Sequence, residues 1–136
     1  MAVRFLSQEW LDERVRRSAA LQPTPDASLV LQHVVTQGPD GVVEFFDELR
    51  DGLLVHSGLG RHQDADLTVI NSWQDELRLM RGEIDPFNMI ADGTIRLEGD
   101  QGALFKLLTV IKSQMIAVAI VARGLVDLVD LPVETG

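Results

Sequence analysis

From Met115 to Ala122 the chain runs Met-Ile-Ala-Val-Ala-Ile-Val-Ala without a polar side chain, between Lys112 and Arg123. Wound into a helix, such a run is apolar on every side and has to be buried by something. It is roughly half of the ~20 residues that span a bilayer, so it does not read as a membrane segment. Just before it, Lys106, Thr109, Lys112 and Ser113 fall on one helical face, and Leu104, Phe105, Leu107, Leu108, Val110 and Ile111 occupy the rest. One face of this stretch can pack on a sheet. The other needs a second subunit, a ligand or both, unless the whole of it is ordinary core. Left in water it would cost roughly 25 cal/mol per Å² of apolar area and promote aggregation. Met80, Met89 and Met115 add side chains that adapt to ligands of varied shape.

The remainder of the chain supplies the sheet. Ser7 caps a helix running to about Leu21, with Leu6, Trp10, Leu11, Val15 and Ala19 as its apolar stripe, and Pro23 and Pro25 end it. From Ser28 the pattern becomes strand-like. Three strands, Ser28 to Gln37, Val42 to Leu49 and Leu53 to Ser57, are separated by turns at Gly38-Pro39-Asp40-Gly41 and Asp51-Gly52 and read as an antiparallel meander. Ala65 to Asn71 is a fourth strand. Ser72 and Asp75 have capping-box spacing for a helix over Trp73 to Arg81, and Asp85-Pro86 opens a short helix in the same way. Thr94 to Glu98 alternates as a fifth strand, and Gly99-Asp100 leads into a long helical stretch from Gln101. With no repeat and no linker composition, the 136 residues read as one α+β domain.

Several kinds of chemistry are disfavoured. Twelve Lys and Arg against 21 Asp and Glu give a net charge of −9, which repels a phosphate backbone and disfavours nucleic-acid binding. Cysteine is absent, which removes thiolate ligands, disulfides and cysteine nucleophiles together. The N-terminus has no signal-peptide pattern, and a cytoplasmic location is expected. His33, His56 and His62 lack metal-ligand spacing, and they become interesting only if His33 and His56 meet on one sheet face. No Gly-x-Ser-x-Gly elbow occurs, and neither Gly58-Leu59-Gly60 nor Gly99-Asp100-Gln101-Gly102 completes a phosphate-binding loop. Glu44, Asp47, Glu48, Asp51, Asp64 and Asp66 fall at strand edges and turns, where solvated carboxylates are expected. No catalytic residue, metal ligand or cofactor is nominated.

Four segments in order then carry a likeness. They are Ala65-Asp66-Leu67-Thr68-Val69, Met80-Arg81-Gly82-Glu83-Ile84-Asp85-Pro86, Ala91-Asp92-Gly93-Thr94-Ile95-Arg96-Leu97-Glu98-Gly99-Asp100, and Gly102-Ala103-Leu104-Phe105-Lys106-Leu107. In this order and spacing the chain resembles the sterol carrier protein two family of lipid-binding domains. Leu31-Gln32-His33-Val34-Val35 and Pro39-Asp40-Gly41 suit bacterial members and extend the likeness to residues 5–111, leaving 112–136 as an apolar C-terminal extension.

The resemblance implies a mixed, mostly antiparallel five-stranded sheet with helices on one face and an apolar tunnel between them. It also implies non-catalytic binding, with transfer as a further role, of a sterol, fatty acid, acyl-CoA ester or phospholipid. The candidate lining is Trp73, Leu77, Met80, Phe87, Met89, Ile90, Leu104, Phe105, Leu107, Leu108, Ile111 and Met115. Residues 113–131 either close the tunnel or form a homodimer surface. The alternatives are an assembly module without ligand and a small enzyme acting on a hydrophobic substrate.

Overall fold

The computed structural model describes residues 3–19, 21, 23–110, 112 and 129–130. A two-residue strand β1 (Val3–Arg4) leads into helix α1 (Gln8–Ser18), and Ser7 accepts the Trp10 N–H at its start, the cap expected from sequence. Strands β2 (Leu29–Gly38), β3 (Gly41–Arg50) and β4 (Leu53–Leu59) form the expected meander. Asp51 and Gly52 both take positive φ in the β3–β4 turn, which is why a Gly-containing pair stands there.

Strand β5 (Leu67–Ser72) runs directly into α2 (Trp73–Met80), where Ser72 accepts the Asp75 N–H. Asp85 accepts the Phe87 N–H at the start of α3 (Pro86–Ala91), which has its proline in the first turn. Strand β6 (Arg96–Gly99) and helix α4 (residues 101–110) follow. Gly99 has φ +135°, and a Cβ there would stand 2.5 Å from the Asp66 carbonyl oxygen, so only glycine lets β6 lie this close to β5. A last short strand, β7 (Val129–Asp130), pairs in parallel with β1.

The five-stranded sheet has the order β4-β3-β2-β5-β6. Only the β2–β5 pair is parallel; the β2–β3, β3–β4 and β5–β6 pairs are antiparallel. The sheet is mixed and mostly antiparallel, as the resemblance implied, and the helices cover one of its faces. Because side chains alternate along a strand, register decides which residues reach that face. Leu29, Leu31, His33 and Val35 of β2 share it with Leu49, Asp47, Phe45 and Val43 of β3, and with Leu67, Val69 and Asn71 of β5.

Two apolar clusters form there. At one end Phe5, Leu6, Trp10, Leu11 and Leu77 pack on Val35 and Phe45. At the other, Met89, Ile95, Ala103 and Leu107 pack on Leu29, Leu31, Leu67 and Val69.

Helix α1 also seals a sheet edge. Gln8 donates to the Ser57 carbonyl and accepts the Leu59 N–H, while Ser18 accepts the Leu54 N–H. The outward backbone groups of β4 are thereby engaged instead of being offered to another chain.

One carboxylate contradicts the expectation of solvated acids. Asp47 is 4% exposed. Arg14 grips it with two hydrogen bonds of 3.1 and 3.0 Å, His33 Nε2 lies at 2.9 Å, and the Ser57 hydroxyl donates at 2.7 Å. Burial alone would raise its pKa, but the charge of Arg14 and the hydrogen bonds from His33 and Arg14 outweigh burial and hold the carboxyl far below the usual range.

The linkage sign follows. Asp47 takes up its proton more readily in the unfolded chain. Its contribution is therefore full above the ordinary aspartate range and drains away as pH falls towards the folded value. Asp47→Asn should lower stability at pH 7 by about 2–4 kcal/mol, because the half-buried Arg14 is left without its counter-charge and the hydrogen bonds from His33 and Ser57 lose an ionised acceptor. The variant should also lack this part of the acid-limb loss. Urea midpoints between pH 7 and pH 3 measure both effects, and an unchanged midpoint at pH 7 contradicts the account.

Candidate functional site

The covered face is the place where an apolar ligand would meet the chain, and its margins are built from half-buried side chains. Trp73 and Met80 of α2, with Val43, rim the first cluster. Ile90 of α3 and Leu104 of α4, with Leu79, Ile84 and Leu97, rim the second. Of the candidate lining residues, Trp73, Leu77 and Met80 therefore belong to one cluster, and Met89, Ile90, Leu104 and Leu107 to the other. The structure divides them between the two ends of the sheet face. Phe87 and Leu108 are half-buried and belong to neither cluster, and Ile111 and Met115 lie outside the described residues.

Phe105 requires a correction. Helix α4 buries Ala103, Leu107 and Val110, whose spacing defines its inner stripe. At 100° per residue Phe105 points nearly opposite to that stripe and sits one turn from Thr109, whose hydroxyl donates to the Phe105 carbonyl. It is 71% exposed. The polar face read from Lys106, Thr109 and Lys112 thus includes Phe105.

Between the clusters runs a polar seam. Ser57 of β4, Asp47 of β3 and His33 of β2 cross the covered face diagonally, with Arg14 of α1 above them. Aromatic rings hold the seam in place. The His33 ring stacks on Phe45 at 4.4 Å with 7° between planes, and the Arg14 guanidinium lies 5.2 Å from the Trp10 ring and 5.7 Å from Phe45. Asn71 of β5 continues the polar side of the face, its amide donating to Glu76 of α2.

Three buried polar atoms of this region have no hydrogen-bond partner among the described residues: Trp10 Nε1, His33 Nδ1 and Asn71 Oδ1. Sequence reading missed Arg14, Asp47 and Asn71 here. The available signal was that Asp47 falls on the same side of its strand as Val43, Phe45 and Leu49.

The seam is not a nucleophilic triad. Ser57 and His33 each bond to Asp47 and not to one another, so the imidazole does not face the hydroxyl it would have to deprotonate. Nor do His33 and His56 meet. His33 lies opposite Phe45 on the covered face, whereas His56 lies opposite Glu48 on the outer one. There His56 and His62 flank Glu48 at 3.5 and 2.8 Å, edge-on to Phe46. The His62 hydrogen bond, partly opposed by desolvation and joined by the His56 charge, lowers the Glu48 pKa. No group of three His, Asp or Glu able to hold a metal ion occurs among the described residues, and no helix among them is long and apolar enough to cross a membrane.

No protein-family model matches the sequence, and no curated protein matches it. Solved structures do match. The solution structure of palmitated SCP2L2 from Aedes aegypti shares 27% identity, covers 78% of this chain and 95% of its own, and has a TM-score of 0.60. The crystal structure of the same mosquito protein gives 23% identity, 73% and 90% coverage and a TM-score of 0.58. A crystal structure of sterol carrier protein 2 gives 17% identity, 88% and 98% coverage and a TM-score of 0.69. The fold is that of the sterol carrier protein 2-like proteins.

The two faces of α4 make opposite predictions. Phe105→Arg should shift the unfolding free energy by no more than about 0.5 kcal/mol, as at an ordinary surface site. Leu107→Ala should cost about 2–5 kcal/mol. Chemical denaturation of the two variants side by side checks both, and a large loss at Phe105 would contradict its outward placement.

Proposed function

We propose that this sterol carrier protein 2-like chain binds one long-chain lipid or sterol-like molecule between the covered face of its sheet and its helices, and releases it chemically unchanged. The observation that carries this reading is the pair of apolar clusters on one sheet face, each rimmed by half-buried Trp, Met, Ile or Leu side chains. Such a lining suits a ligand that is mostly hydrocarbon and is oriented by a few polar groups. The mosquito protein of the same fold, at 27% identity, carries palmitate by its own description. That supports an acyl chain of comparable length as a ligand here.

Binding without chemistry agrees with the hydrogen-bond order in the seam. Asp47 stands between Ser57 and His33, so neither hydroxyl nor imidazole is arranged to attack. The apolar run Met115 to Ala122 lies outside the described residues; its composition demands burial, and an apolar ligand would supply a surface for it. The lipid is carried between other sites in the cell.

Native mass spectrometry of freshly purified protein should show a one-to-one adduct of lipid mass on the monomer. A fluorescent acyl probe should bind saturably and be displaced by palmitate or a sterol, with dissociation constants of about 1 μM or lower. A chain free of adduct that also shows no saturable probe binding contradicts the proposal. A dimer free of adduct would favour self-assembly through residues 113–131 instead. Removing residues 113–136 should abolish probe binding while circular dichroism still reports the sheet; retained binding would take ligand closure away from the tail.

A further inference from the structure

We infer that the bound lipid presents a hydroxyl, and not an ionised carboxylate, to the polar seam, where His33 Nδ1 and Asn71 Oδ1 receive its hydrogen. This rests on the lipid-binding reading and specifies the ligand's polar group.

The inference follows from the sign of each unpartnered atom. Asp47 is held ionised by Arg14 and can only accept hydrogen bonds, so the His33 nitrogen 2.9 Å from it must carry the proton. That nitrogen is Nε2. With the ring neutral, Nδ1 is then a bare lone pair, buried and with no hydrogen-bond partner among the described residues. The Asn71 amide is fixed by the same logic. Its NH₂ faces the Glu76 carboxylate, an acceptor, which turns Oδ1 the other way, also buried and also with no partner among the described residues. Asn71 is 4% exposed.

The two atoms belong together. His33 opposes Val69 in the β2–β5 register and Asn71 follows two residues later, so both side chains stand on the covered face as diagonal neighbours. They lie where the two apolar clusters meet, Leu31 on one side and Val35 on the other. A chain-like ligand reaching from one cluster to the other passes over them.

A buried acceptor left unpaired is costly, and a donor from the ligand relieves that cost. A hydroxyl has the hydrogen to donate to one of the pair. A carboxylate has no hydrogen to offer. It would set its lone pairs against theirs, with the charges of Asp47 and Glu76 nearby and the Arg14 guanidinium already engaged by Asp47.

The test uses the full chain stripped of lipid, with three ligands of one chain length competing against a fluorescent acyl probe: hexadecan-1-ol, hexadecyl methyl ether and palmitate. The alcohol should bind about tenfold more tightly than either of the others. Asn71→Leu should shrink that preference while leaving the ether unchanged. Nitrogen NMR of the unmodified protein reads His33 directly. Its Nδ1 should be unprotonated in the free protein and should shift when the alcohol is added but not when the ether is. Equal affinities, a preference for palmitate, or a protonated Nδ1 each overturn the hydroxyl assignment while lipid binding stands. A probe that does not bind at all overturns lipid binding and this inference with it.

Discussion

An ionised carboxylate with almost no contact with water is tolerable only when hydrogens converge on it from several directions. Asp47 meets that condition through Arg14, His33 and Ser57, drawn from α1 and from the strands on either side of β3. Much of the architecture is conditional on this one group. A slip of β3 by a single residue would carry Asp47 to the outer face and Phe45 with it. The ion pair therefore specifies register as well as contributing energy, and it fixes the angle at which α1 crosses the sheet. It also sets the proton on His33, and through that the hydrogen-bonding character of the middle of the covered face.

The elements of the fold were legible because their signals are local. Ser7, Ser72 and Asp85 each cap the helix that the sequence assigned to them, and Asp51-Gly52 turns the meander where it should. The sheet order was less accessible. Nothing in the residues 60–66 shows that β5 crosses over to lie parallel to β2. The mixed topology came from the family likeness, and the register in the structure agrees with it.

The site was legible only in outline. The family likeness named Leu77, Met89 and Leu107 as candidate lining, and all three are buried, but neither likeness nor periodicity says that an intervening polar seam divides them. Phe105 was counted with the apolar side through its neighbour Leu108, yet one turn from Thr109 it shares that residue's side of α4. Asp47 was read as solvated because it was judged alone. Its burial becomes explicable only when residues 33 positions apart are brought together. Long-range pairing of charges is the information a one-dimensional pattern omits, and the chemical character of this face depends on it.

The sealing of β4 by α1 has a consequence for how the chain is made. Gln8 and Ser18 close on backbone groups 36 to 51 residues further along, so the helix leaves the ribosome well before the strand it protects. An edge strand that emerges bare is a template for pairing with neighbouring nascent chains. Here the strand emerges to a helix already waiting, and the interval in which two growing chains can zip together at this edge is as short as the order of synthesis allows.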